Sequence, residues 1–500
     1  MTRTAPAWRP AQRTNADADA APAAIGPGGA SGQRRGPAAW TLLSIVAGTL
    51  TAATSIGPIH DHDVFLHVAV GEQILRHGHP LLPDAWAYTR PATVWSTSSW
   101  AADIALAAVH RIGGDRGVVL LELAGTLALL GGLHVLLRRH RPSSQAIVFC
   151  LACLSVYPFL EERPQLASMV FVVWLSWVCD RARRHVGQPP VPVLLTVTWL
   201  WALTHGLWVL VPVTLLVVVV ARRLDGDRLG APDQRALILS AALSPVVAMF
   251  TPVGPRLLLA PWQVSAAAHG HLAEWLAPRL DRPFAWGFVA LLVIVVVGWA
   301  VSASRPSRSE VLWVLAVAGY AGLAWRNLGP ACILIAPVTA RVLDGRSGGR
   351  TIRRVPTAAV AALVGTTVMA LLVATLTKPT TPLWAPSHIA AALRSEPAPI
   401  RVLNDYDIGG YLATSAGPSV RVAVDGRADR YGRTFLSRYF AMTDGRPGWR
   451  STVQDLDPDA AVLPSDAPLV PLLVGVGWRT VLHDNGYVLL APPASTIWPP

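Results

Sequence analysis

Apolar runs approaching the length needed to cross a bilayer recur along this chain, near 39 to 57, 117 to 137, 145 to 160, 165 to 180, 191 to 204, 206 to 221, 236 to 253, 284 to 303, 310 to 325, 327 to 343 and 355 to 377. A hydrocarbon core of about 30 Å takes roughly 20 helical residues, and inside it every backbone donor and acceptor must be satisfied within the chain. The runs therefore predict a polytopic α-helical membrane protein with about eleven transmembrane helices. Composition agrees, because 52% of the 500 residues are hydrophobic and only 14% are charged, against about 25% charged in an ordinary soluble protein.

Arginine fixes the expected sidedness. Arg34 and Arg35, Arg138 and Arg139, Arg183 and Arg184, Arg222 and Arg223, Arg305 and Arg308, and Arg353 and Arg354 fall in every second loop. Positively charged short loops stay in the cytoplasm, so the N-terminus is expected there. An odd number of spans then puts everything after Lys378 on the other side of the plasma membrane. The net charge of +12 is thereby assigned to topology and lipid headgroups, and nucleic acid is not an expected partner.

Three regions follow. Residues 1–36, rich in Ala, Pro, Gly and Arg, read as a disordered cytoplasmic tail. Residues 37–378 form the transmembrane domain, with a long first outer loop at 58–116, and 379–500 read as a small extracytoplasmic α/β domain. Its strands are expected at Arg401 to Leu403, Val420 to Val424, Ala460 to Leu463 and Tyr487 to Ala491. Cys150, Cys153, Cys179 and Cys332 all lie in or beside apolar runs and imply neither a disulfide framework nor a thiolate metal site.

The first outer loop opens with Asp61-His62-Asp63-Val64-Phe65-Leu66-His67. Val64, Phe65, Val68, Ile74 and Leu75 then fall roughly on one helical face, which predicts an amphipathic helix lying on the membrane surface. Gly78, Pro80, Asp84, Trp95 and Trp100 follow, and Trp100 to Ile112 reads as a further surface helix or half-span. Later outer turns carry Arg163-Pro164-Gln165, His205-Gly206, Thr251-Pro252-Val253-Gly254, Glu274-Trp275 and Trp325-Arg326-Asn327.

An Asp just past the first span, a His four residues beyond Asp63, an amphipathic helix ending in Gly, then Pro, Asp and a Trp-rich stretch resemble the first outer loop of the GT-C superfamily of membrane glycosyltransferases. After the last span, Asn404-Asp405-Tyr406-Asp407-Ile408-Gly409-Gly410 and Asp425-Gly426-Arg427-Ala428-Asp429-Arg430-Tyr431 look like the opening of the soluble domain in oligosaccharyltransferase catalytic subunits. They are more similar still to a bacterial set of uncharacterised GT-C-like proteins. The likeness is carried by scattered signatures over about 40 to 490, and the turn at Thr251 departs from the usual Asn-Pro-x-Gly.

The resemblance implies a GT-C-like fold and inverting transfer of a sugar from a polyprenyl-phosphate donor to an extracytoplasmic glycan, lipid or protein acceptor. It also singles out Asp63 over Asp61 as the recurrent aspartate. Chemistry points the same way, since transfer from a lipid phosphate needs a carboxylate to take the acceptor proton or to hold a divalent metal on the departing phosphate. Asp61 and Asp63 at x and x+2 suit Mg²⁺ or Mn²⁺; alternatively Asp63 caps the helix and Asp61 is solvated.

His67, one turn on, could touch Asp63 or donate to a phosphate. Arg163 and Arg326 are cations where the positive-inside rule does not call for them, suited to a lipid phosphate or to a structural pair, for instance Arg163 with Glu274. Glu274, Asp405, Asp407, Asp425 and Arg427 are candidates for metal or acceptor binding, unless the carboxylates simply pair with neighbouring arginines.

Two rivals share this sequence. A lipid or small-molecule transporter should carry ionisable groups near mid-span and inverted repeats, and the sequence shows neither, Glu122 being the clearest acid within a span and His134 lying near an inner end. A catalytically silent GT-C-like scaffold would keep the fold without the reaction.

Overall fold

A computed structural model describes residues 39–54, 56–83, 86–90, 94–228, 231–303, 305–345, 357–495 and 497–498. The expected tail at 1–36, Asp84, Arg353 and Arg354 lie outside them.

Each apolar run coincides with a helix. In chain order the helices are α1 (Ala39–Thr54), α2 (Val64–His77), α3 (Trp100–Leu137), α4 (Pro142–Val156), α5 (Pro164–Arg183), α6 (Val191–Thr204), α7 (Leu210–Leu224), α8 (Pro232–Met249), α9 (Arg256–Ala268), α10 (Ala285–Ala300), α11 (Arg308–Leu323), α12 (Leu328–Asp344) and α13 (Thr357–Thr377). Proline opens α4, α5 and α8, where its fixed φ suits a first helical turn that has no donor to lose. Among the described residues, three helical segments are both long and apolar enough to cross a membrane, Trp100–Leu137, Pro142–Phe159 and Gly206–Leu224, and several others are apolar but shorter.

The half-span expected at Trp100 to Ile112 is the first part of α3, set off from the rest by a kink at Gly114. At the centre of the bundle, α12 is buried on all sides from Leu328 to Ala340, as a helix apolar all round should be. Arg326 sits in the short 3₁₀ turn Trp325–Asn327 that immediately precedes it.

The arginine-rich ends gather at one end of the bundle. Arg341 reaches Asp180 there and also meets Glu310 at 3.0 Å, His140 meets Asp344 at 2.7 Å, and Asp225 accepts from the Ser309 amide at 3.2 Å. The opposite end carries α2 and the C-terminal domain.

That domain contains α14 (Ser387–Arg394), α15 (Gly409–Ser415), α16 (Ala428–Thr443), α17 (Trp449–Leu456) and α18 (Leu469–Gly475) around a five-stranded sheet. A two-stranded hairpin in the first loop, β1 (Leu81–Leu82) with β2 (Trp95–Ser96), precedes β3 (Ile400–Asn404), β4 (Val420–Val422), β5 (Ala460–Pro464), β6 (Arg479–Asp484) and β7 (Tyr487–Ala491), ordered β4-β3-β5-β7-β6. β3 runs parallel to β4 and β5, while β7 is antiparallel to β5 and β6. β6, absent from the sequence reading, alternates poorly and is largely exposed, so it gives little periodic signal.

The first loop and this domain share one core. Leu66, Val70 and Ile74 of α2 pack with Ile389, Tyr411, Leu412 and Val422. Part of the apolar face expected to lie on lipid is thus covered by protein, with Phe65 edge-on to Tyr411 at 5.1 Å and to Trp384 at 6.0 Å. The loop also covers the free edge of β4, where the Tyr88 amide donates to Val422 O at 3.1 Å and the Val422 amide to Trp86 O at 2.9 Å.

Candidate active site

The chain leaving α1 turns sharply before α2, and this turn delivers Asp61 and Asp63. Glu162, from the α4–α5 turn, accepts the amides of His60 at 3.3 Å and Asp61 at 3.2 Å, and Asp61 in turn accepts the Asp63 amide at 3.0 Å. Burial pushes Glu162 up to about 7. Asp63 precedes α2 but makes no side-chain cap, so its carboxylate is committed elsewhere.

That commitment is to Arg163. Its Nε lies 2.6 Å from Asp61 Oδ1, and its terminal nitrogens lie 3.5 Å from Asp63 and 3.6 Å from Glu274. Glu274 also meets Arg326 at 3.0 Å, and Arg326 lies over the Trp275 ring at 4.5 Å and donates to Gln165 at 3.3 Å. The Trp325 amide bonds Leu276 O at 2.7 Å, locking the turns that carry Glu274 and Arg326 together. Five sequence candidates therefore form one charge cluster at a single end of the bundle, and both arginines are paired with Glu274.

Asp61 is fully buried, whereas 28% of the Asp63 side chain remains accessible. Burial raises the Asp63 carboxyl to about 6, with Asp61 and Asp407 adding to the shift and Arg163 opposing it. A carboxyl with this value, accessible and next to a guanidinium, can exchange a proton near neutral pH.

His67 turns away from Asp63. Its Nδ1 sits 2.7 Å from Asp103, which also accepts from Thr97 at 2.7 Å and Ser99 at 3.2 Å and is fully buried. Gly71 permits this contact, because a Cβ there would stand 2.0 Å from Asp103 O and hold α2 off α3. Burial alone would lower the His67 pKa, but the Asp103 carboxylate, with Asp63 and Asp61 adding to it, raises the value. The expected contact with Asp63 is thus replaced by a histidine–aspartate pair beside the cluster. Asp103 escaped the sequence reading because an acid in a first helical turn is ordinary.

The C-terminal domain closes the site from above with the loops that follow the carboxyl ends of the adjacent parallel strands β3 and β4, the edge of such a sheet that binds ligands. The first carries Asp405 and Asp407, and burial raises Asp405 to about 6 with Asp407 contributing. The second carries Gly426, whose Cβ, if present, would stand 2.1 Å from Asp63 Oδ1. Gly426→Ala is expected to cost about 1–3 kcal/mol by overpacking, read as a lower thermal midpoint of the detergent-purified chain.

Asp425 and Arg427 take up the alternative in which the carboxylate pairs with a neighbouring arginine. Arg427 bonds both carboxylate oxygens of Asp425, at 2.8 and 2.6 Å, and stacks over Trp86 and Trp95 at 5.0 and 5.2 Å. Both residues are buried, and Arg427 holds the Asp425 carboxyl below its ordinary value against the effect of burial. Through Trp86 and Trp95 the pair joins the first loop to the domain.

The metal expectation meets the same guanidinium. Arg163 already stands against both Asp61 and Asp63, and among the described residues no group of three or more His, Cys, Asp or Glu is placed to hold a metal. Arranged in this way, the two carboxylates do not make the oxygen shell that Mg²⁺ or Mn²⁺ takes.

No protein-family model matches the sequence, and no curated protein matches it. Among solved structures, the apo oligosaccharyltransferase of Archaeoglobus fulgidus matches over 85% of this chain and 69% of its own, with a TM-score of 0.50 at 11% identity. The chain shares the fold of this oligosaccharyltransferase. The A. fulgidus oligosaccharyltransferase AglB in complex with an inhibitory peptide and a dolichol-phosphate matches over 92% of this chain and 75% of its own, at TM-score 0.49 and 11% identity. ArnT from Cupriavidus metallidurans bound to undecaprenyl phosphate matches over 92% and 99%, at TM-score 0.47 and 15% identity. Within this fold, the α1–α2 turn, the α4–α5 turn and the turn before α12 meet beneath the C-terminal sheet.

Proposed function

We propose that this protein is a membrane glycosyltransferase that moves a sugar from a polyprenyl-phosphate donor to an acceptor outside the cytoplasm. The observation carrying the reading is the cluster of Asp61, Asp63, Arg163, Glu274 and Arg326 beneath a docked soluble domain, in a GT-C fold. The sidedness follows from the arginine-rich ends, which the positive-inside rule keeps in the cytoplasm.

In this reading Asp63 accepts the proton of the acceptor hydroxyl as the new glycosidic bond forms at the anomeric carbon. The bond from that carbon to the donor phosphate breaks, and the polyprenyl phosphate leaves with its electron pair. Arg163 and Arg326, both held by Glu274, stabilise the charge on that phosphate through their guanidinium groups. The attack from the opposite face of the sugar comes from the GT-C resemblance.

The test is release of polyprenyl phosphate from a panel of polyprenyl-phosphate sugars by the full chain in nanodiscs, run with Mg²⁺, with Mn²⁺ and with chelator. Release from at least one donor is expected. Failure to bind any carrier lipid would remove this reading, and loss of release on chelation would assign a metal to the donor-bound cluster.

The pH dependence has a definite sign. Ionised Asp63 is the proton acceptor, so the rate should climb with pH along a limb centred near 6. Stability should run the other way. A carboxyl raised above its unfolded value of about 3.9 favours the folded state at acid pH, and that contribution is lost as pH rises through about 6. A rate profile flat between pH 5 and 7 would remove Asp63 from the proton transfer.

A further inference from the structure

On the other flank of α2 from the His67–Asp103 pair, between that helix, α15 and the start of β4, lies a cleft of about 770 Å³. It does not include the charge cluster around Asp63. Its size falls within the range of about 300–1,000 Å³ common to small-ligand sites. Phe65, Val68, Tyr411 and Val420 make an apolar floor, and Arg76, Arg394 and Arg421 stand around it.

The charge balance of the cleft is one-sided. Its two acids are already engaged, Glu72 by both forks of Arg111 at 2.6 and 2.5 Å and Asp115 by His110 at 3.5 Å. Among the described residues none of the three lining arginines pairs with a carboxylate. Arg76 donates only to the Glu72 carbonyl at 3.3 Å and Arg394 only to the Ser415 carbonyl. The cleft therefore holds uncompensated guanidinium groups whose planar forks suit carboxylate or phosphate.

An independent observation identifies what accompanies the anion. Gln73 lines the same cleft and is 7% exposed, and its Oε1 is a buried acceptor with no hydrogen-bond partner among the described residues. A buried amide oxygen left without a donor costs about 1–3 kcal/mol, so it calls for a ligand hydroxyl. Thr414 and Ser415 add hydroxyl groups to the same wall.

We infer that this cleft binds an acidic oligosaccharide, a short sugar chain whose carboxylate or phosphate groups meet Arg76, Arg394 and Arg421 while a ring hydroxyl donates to Gln73. The anion accounts for the arginines, the hydroxyl for the orphaned amide, and the apolar floor for the carbon faces of the sugar rings. The inference requires no transfer chemistry and stands apart from the proposed reaction.

The experiment is calorimetric titration of the full chain in phosphatidylcholine nanodiscs with trigalacturonate, with maltotriose as the neutral chain of equal length and inorganic phosphate as the bare anion. Trigalacturonate should bind and the other two should not compete with it. Arg421→Glu should weaken binding by about tenfold or more, as loss of a charge-assisted contact does. Gln73→Met, which removes the orphaned oxygen at nearly constant volume, should leave the thermal midpoint equal or higher while weakening binding severalfold. Asp63→Asn should bind as the parent does, which separates this site from the catalytic proposal. Absence of trigalacturonate binding, equal binding of maltotriose, or unchanged affinity in both Arg421→Glu and Gln73→Met would each overturn the assignment. Displacement of trigalacturonate by phosphatidylglycerol in the disc would reassign the cleft to a lipid headgroup.

Discussion

Asp63→Asn is expected to lower sugar transfer by about 10²- to 10⁴-fold, the contribution of a positioned general base, while leaving the chain at least as stable as the parent. The two halves of this expectation have one physical origin. Burial holds the Asp63 carboxyl at about 6, so its ionised form, the one the reaction uses, is the form the fold resists at neutral pH. An amide of nearly the same shape removes that unfavourable ionisation. It keeps an oxygen toward Arg163, which stands 3.5 Å away, and still fits against Gly426. A residue kept only to cap α2 would behave differently, but Asp63 makes no cap bond to lose. The measurement is turnover of a polyprenyl-phosphate sugar together with the thermal midpoint of the same preparation. Unchanged turnover would take the carboxylate out of the chemistry, and a collapsed midpoint would make Asp63 a folding residue.

What the sequence made legible, and what it hid, follows from how far each interaction reaches along the chain. The helices were legible because a bilayer-length apolar run has few other uses, and Arg163 and Arg326 stood out as cations on the side the positive-inside rule leaves poor in them. Their common partner Glu274, 111 residues from one and 52 from the other, could be named as a possible partner but not placed between them. Asp103 carried no signal, since its contact with His67 depends on Gly71 letting two helices approach. The pairing of the first loop with β4 was equally silent, because one bridged residue, Ala87 on Val422, has no period. For Asp425 and Arg427 the sequence left two readings open, a sugar site or a local ion pair, and the buried bidentate contact between them is visible only in the fold.

Arg163→Ala is expected to destabilise the protein by about 3–5 kcal/mol at neutral pH, the cost of leaving buried charge without its partner. Arg163 is the only described cation within 4 Å of Asp61, which has no exposed side-chain surface, and it also reaches Asp63, Glu161 and Glu274. Lysine is not expected to rescue it, because a single ammonium cannot address carboxylates on three turns as a guanidinium fork does. The pH dependence supplies the sign check. Burial already raises Glu161 to about 7 and Asp63 to about 6 with Arg163 pulling both down, so removing the guanidinium raises these carboxyls further. Carboxyls held above their unfolded values favour the fold below the ordinary carboxylate range and lose that contribution as pH rises, so the variant should lie nearest the parent at acid pH and weaken steeply through pH 7. Adding Asp61→Asn should recover part of the loss, because it removes the buried carboxylate closest to the missing cation. Thermal midpoints of parent, both single variants and the double variant between pH 5 and 8 form the cycle that measures this coupling. A loss independent of pH, with no recovery in the double variant, would mean that Arg163 acts by packing and that the carboxylates share no common charge balance.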